Sequence, residues 1–90
     1  MTLLARRYLI SGRVQGVGFR YFAERSARYR RISGWVRNLP DGRVEVHAEG
    51  AGDQLADFEA ALRRGPMMAE VRDFEVSEAA VTGAREFEIR

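Results

Sequence analysis

Apolar residues in this chain switch repeatedly between two spacings within only 90 residues, and no other feature limits the fold as strongly. A period of two marks a strand with one buried face, whereas steps of three and four mark a helix. Residues 5–13 carry Tyr8, Leu9 and Ile10 between arginines and read as a strand. From Phe19 to about Arg31 the spacing turns helical, with Phe19, Phe22, Ala23, Ser26 and Ala27 on one stripe and Arg25, Arg28 and Arg31 on other faces. Residues 33–37, aromatic and β-branched, predict a second strand, and the run NLPDG at 38–42 predicts a hairpin turn. Val44, Val46 and Ala48 then alternate with Glu45, His47 and Glu49, the pattern of a half-buried strand. Asp53 is the expected N-cap of a helix through Arg64, with Leu55, Phe58 and Leu62 along its stripe and Gly65-Pro66 as its stop. Residues 70–78 alternate around Phe74 and Val76, while Val71 falls out of phase and predicts a bulge or a late start. Thr82-Gly83 turns the chain, and residues 86–90 alternate once more.

The order is therefore β-α-β-β-α-β with a short extra C-terminal strand. Two amphipathic helices so placed bury their stripes together only on one face of the sheet. The expected architecture is α+β: a ferredoxin-like βαββαβ sandwich, both helices on one face of a mainly antiparallel sheet, built as one domain over residues 1–90. That topology hosts many activities and names none.

Missing residue types narrow the chemistry. There is no Cys, so thiolate metal sites, redox pairs and a Cys nucleophile are excluded. A single His rules out His-rich metal motifs. All 15 basic residues are Arg, so a Walker-type phosphate loop and Schiff-base chemistry are impossible, and any side chain gripping an anion has to be an arginine. Residues 1–45 hold 10 Arg against three acids, a balance of +7, while residues 46–90 carry −5. A basic front half fits an anionic partner, either a phosphate-bearing small molecule or a nucleic acid; it is equally the pattern of solvated helix and strand faces. The scarcity of Asn and Gln fits heat adaptation, and the Arg bias fits heat adaptation or a high-GC genome alike.

The segment GRVQGVGFR, residues 12–20, joins the first strand to the first helix. Gly16 and Gly18 enclose only Val17, a spacing that lets successive backbone N–H groups turn inward. The loop leads into a helix N-terminus, whose unpaired N–H groups and dipole favour anions. Arg20 falls in the first helical turn, and its planar guanidinium suits a bidentate phosphoryl contact. The same spacing also describes a tight strand-to-helix turn bearing a surface Arg. In GWVRNLPDGRVEV, residues 34–46, Asn38 lies where a strand ends and a turn begins. Such an end can lie beside the first helix and let an amide orient a water, although Asn is also an ordinary turn residue. His47, the alternative general base, alternates onto the polar side of its strand and is expected at the surface.

Together these two segments resemble the acylphosphatase family, and the element order and length are similar across the whole chain. The resemblance implies a ferredoxin-like sandwich that hydrolyses acyl phosphates to a carboxylate and inorganic phosphate. It implies a phosphate cradle from Gln15, Gly16, Val17, Gly18, Phe19 and Arg20, with Arg20 clamping the phosphate and Asn38 positioning the attacking water. It also implies no metal, no cofactor and no covalent phosphoenzyme. The chain departs from the family pattern at the end of the first helix, where Tyr29-Arg30-Arg31-Ile32 replaces a hydrophobic-Gly-hydrophobic run, and at Ala23, where Thr is common.

The expected partners are a small-molecule acyl phosphate and inorganic phosphate as product and competitive inhibitor. No nucleic acid is expected: the Gly-Phe-Arg run lacks the aromatic pattern of an RNA-recognition motif, and Glu45 and Glu49 oppose a polyanion. A regulatory domain that binds an anionic metabolite without turnover is the other alternative. No run approaches a membrane span, and residues 1–10 place charge after a short apolar patch, the reverse of a signal peptide. A cytoplasmic monomer is expected, since no surplus apolar face is evident.

Overall fold

A computed structural model describes residues 2–90. The elements run β1 (Leu4–Arg13), α1 (Phe19–Tyr29), β2 (Ser33–Asn38), β3 (Val44–Gly50), α2 (Gly52–Arg64), β4 (Glu70–Glu78) and β5 (Phe87–Ile89). They form a five-stranded sheet in the order β4-β1-β3-β2-β5. All pairings are antiparallel except that of β2 with β5. This is the expected ferredoxin-like sandwich with its extra edge strand.

The core forms where the predicted stripes meet. Phe19, Ala23, Ser26 and Ala27 of α1 and Leu55, Phe58, Ala61 and Leu62 of α2 are buried. Tyr8, Ile10, Val36, Val44, Val46 and Ala48 rise from the sheet to meet them in one cluster. Phe22, expected on the α1 stripe, lies at its margin and is only half-buried. Close packing of this cluster is the main source of stability, because burial of apolar area is the dominant favourable term in folding.

Element ends differ from expectation in two places. α2 begins at Gly52 with Ala51 as its N-cap, so Asp53 sits in the first turn, where its charge still complements the helix dipole. α1 ends at Tyr29 and not near Arg31. There the Ile32 amide donates to Ala27 O at 2.8 Å and the Arg31 amide to Arg28 O at 3.2 Å, the paired bonds of a Schellman cap. Arg31 takes the left-handed position of that cap, with φ 58°. The phase slip at Val71 is a bulge: Ser11 pairs with Asp73 and Gly12 with Val71, so Arg72 is left over.

β3 is buried along its whole length, not half-buried as its alternation predicts. Its outward face is covered by neighbours. Glu45 receives the guanidinium of Arg7 and that of Arg37, the latter at 2.6 Å. His47 lies only 8% exposed, so it is not the surface imidazole its alternation predicts. The Trp35 ring stacks over it with centroids 5.9 Å apart, and Glu49 lies 2.6 Å from its Nε2. The connection between β4 and β5 closes the rest, with the Thr82 and Gly83 amides each donating to Glu49 at 3.1 Å.

Candidate active site

The topology brings the two sequence segments together. β1 and β2 are not neighbours, but both pair with β3, and Val44 stands opposite Ile10 on one side and Asn38 on the other. Asn38 therefore lies about 10 Å across the sheet from the last turnward residues of β1, at the same end. The loop that follows β1 begins there. Gln15 ties the two parts directly: its Nε2 donates to Leu39 O at 2.8 Å and to Arg43 O at 3.0 Å. The side chain of Gln15 is thus engaged by the β2–β3 turn, and Gln15 is not among the residues that line the cavity between Arg20 and Asn38.

Gly16 and Gly18 adopt left-handed φ of 75° and 77°. A Cβ built on either would meet nothing within 4 Å, so backbone conformation and not crowding demands glycine there. Gly18 caps α1, and its carbonyl accepts from the Phe22 amide at 3.0 Å. The amides of Phe19, Arg20 and Tyr21, in the first turn, have no helical acceptor. No acidic side chain occupies that turn to satisfy the dipole. Two left-handed glycines followed by a bare helix start present N–H groups suited to an anion.

Arg20 and Asn38 line one cavity of about 220 Å³, together with Val14, Gly16, Gly18, Phe19, Tyr21 and Ile89. Arg20 Nη1 donates to Arg90 O at 3.1 Å, a contact just past β5 that steadies the guanidinium. Asn38 Oδ1 is buried and, among the described residues, accepts no hydrogen bond. A buried carbonyl oxygen without a donor is costly unless water or a ligand supplies one. Val17 lies on the loop beside this cavity but is not among the side chains that line it. Among the described residues, no three His, Cys, Asp or Glu side chains cluster as metal ligands would. His47 is held on the opposite face of the sheet from the helices by Trp35 and Glu49. Three residues escaped sequence reasoning. Val14, Tyr21 and Ile89 line the cavity, and nothing in their local pattern marks them as site residues.

The acylphosphatase family model matches residues 6–89. The chain belongs to the acylphosphatase family. An acylphosphatase of Solibacter usitatus is 49% identical over 86 residues, spanning 96% of this chain and 90% of that one. An acylphosphatase of Archaeoglobus fulgidus is 46% identical, spanning 97% and 98% of the two chains. The crystal structure of acylphosphatase from Bacillus subtilis superposes with a TM-score of 0.94 at 43% identity, over 97% of this chain and 98% of that one. Like its acylphosphatase relatives, the chain is an enzyme, and its reaction is the hydrolysis of acyl phosphates.

Proposed function

We propose that this acylphosphatase hydrolyses its substrate by in-line attack of a water positioned by Asn38 on a phosphate held by the backbone amides of residues 15–20 and the Arg20 guanidinium. The shared cavity of Arg20, Asn38, Gly16 and Gly18 is the observation that carries this reading. The unpartnered Asn38 Oδ1 adds to it, because a water donating to that oxygen satisfies it and is aimed at the same time. An acyl phosphate is an activated mixed anhydride with a good leaving group, so the protein supplies mainly position and charge. The water oxygen bonds to phosphorus while the P–O bond to the acyl group breaks. The carboxylate leaves with that bond's electron pair, and the water's proton passes to a phosphate oxygen. The loop amides and Arg20 stabilise the equatorial oxygens as charge shifts onto them. No strong base is required, which suits a cavity lined by neither His nor a carboxylate.

In this reading residues 1–90 act as one catalytic domain, a monomer of the cytoplasm without metal or cofactor, and neither nucleic acid nor a membrane is a partner. No helix among the described residues is long and apolar enough to cross a membrane. Hydrolysis of benzoyl phosphate tests the assignment. Turnover inhibited competitively by inorganic phosphate and unaffected by EDTA is expected. Phosphate binding without turnover indicates a metabolite-sensing domain instead, and a rate abolished by EDTA indicates a metal.

A further inference from the structure

Beside the phosphate cavity runs a much larger groove of about 1010 Å³ along the outer face of α1. The expectation of no surplus apolar surface fails here: Tyr21 is 59% and Tyr29 87% exposed, and Met67 and Met68 stand exposed just beyond Pro66, which lines the groove. Gly18 and Tyr21 line both concavities, so the groove adjoins the phosphate cavity. Asn38 and Ile89 line only the phosphate cavity. In-line displacement sends the leaving group away from the attacking water, hence away from Asn38, and Asn38 does not line the groove.

The groove has a definite chemistry. Its lining includes the aromatic rings of Tyr21, Phe22 and Tyr29 with Arg25, Arg28 and Arg30, and no acid. Arg28 is engaged by Glu24 at 3.4 Å, and Arg30 donates to Ser26 O at 3.2 Å. Arg25 has no carboxylate partner among the described residues, and its guanidinium lies 5.6 Å from the Tyr21 ring centroid. Arg25 follows Tyr21 by four positions, a rise of about 6 Å along α1. The Arg25 guanidinium lies over Tyr21, so a flat apolar body packed beside that ring meets a cation that no carboxylate neutralises among the described residues.

Resting on the cavity as the phosphate site, we infer that this groove is the acyl subsite and selects acyl phosphates whose acyl part is aromatic and carries a distal negative charge. Tyr21 supports the ring, and Arg25 reads the distal anion.

The test compares kcat/KM for acetyl phosphate, benzoyl phosphate and 4-carboxybenzoyl phosphate in the full chain and in Arg25→Ala and Arg25→Gln. The wild type is expected to favour 4-carboxybenzoyl over benzoyl phosphate by about two- to fivefold at low salt, the range of one exposed charge contact, and less at high salt. Both variants should lose that preference while hydrolysing acetyl phosphate at the wild-type rate. Equal use of the two aryl substrates by the wild type, or a preference that survives in both variants, overturns the inference and leaves the groove to a macromolecular partner. Failure to hydrolyse any of the three substrates overturns the catalytic reading itself, which is a different result.

Discussion

Arg20 and Asn38 divide the proposed work between charge and aim. Arg20→Ala should lower kcat/KM by about 3 kcal/mol, the scale of losing a preorganised transition-state donor, and Arg20→Lys should recover little because the planar fork is gone. Asn38→Ala should lower kcat with a smaller effect on competitive inhibition by inorganic phosphate. Benzoyl phosphate kinetics with phosphate titrations check both, and near-wild-type turnover in either alanine variant defeats the roles. Gln15 belongs to the same scale but acts at one remove. Its two bonds to Leu39 O and Arg43 O hold the glycine loop against the turn that follows Asn38. Each of those carbonyls also accepts a turn amide, so neither is orphaned without it. Gln15→Ala is therefore expected to cost only about 1 kcal/mol of stability. Its kcat/KM should fall about tenfold, because catalysis is sensitive to small misplacements. Denaturant titration beside kinetics separates the two effects. The residues proposed to carry chemistry lie in the two motifs that mark the family resemblance, whereas the use of the Gln15 side chain as a strut has no local sign in the sequence. Its partners lie 24 and 28 residues away, beyond any local pattern.

At the scale of elements, alternation, three-four stripes and short apolar or β-branched runs located every helix and strand, because each lays one face against the shared core. Boundaries were less legible. α1 stops two residues short of its expected end because Arg31 adopts a left-handed cap that its side chain disfavours. Arg31→Gly should relieve about 1 kcal/mol of that strain and raise the melting temperature by roughly 4–8 °C, read by calorimetry. An unchanged or lower melting temperature counts against strain at this cap. The bulge at Arg72 was visible as a phase slip at Val71, since a bulge inserts one residue into a period of two.

For the whole molecule, the consequential feature is the polar layer on the outer face of β3. Burial pushes the Glu49 carboxyl up, but the Thr82 hydroxyl, His47 and the Thr82 and Gly83 amides together outweigh it and hold it at about 2, below its ordinary 4.5. Burial likewise pushes Glu45 up, and Arg7 and Arg37 bring it below the ordinary carboxylate range. A depressed carboxylate adds stability that is complete above its unfolded value and disappears as pH falls toward the folded one. Glu49 should thus contribute about 3 kcal/mol at pH 7 that is lost between roughly pH 4.5 and 2. Urea titrations across that range should show the decline, and Glu49→Gln should flatten it. A wild-type curve no steeper than that of the variant removes the role. By itself, the sequence determined the order of elements and the single helix-covered face, since both follow from periodicity, and it offered the loop-plus-Asn pair only through the family resemblance. Only the tertiary structure decided that His47 is buried, that β3 has no free face, and that Gly18 and Tyr21 open onto a groove. Those outcomes depend on which distant segments lie over a residue, and a one-dimensional pattern records which face a side chain takes but not what covers that face.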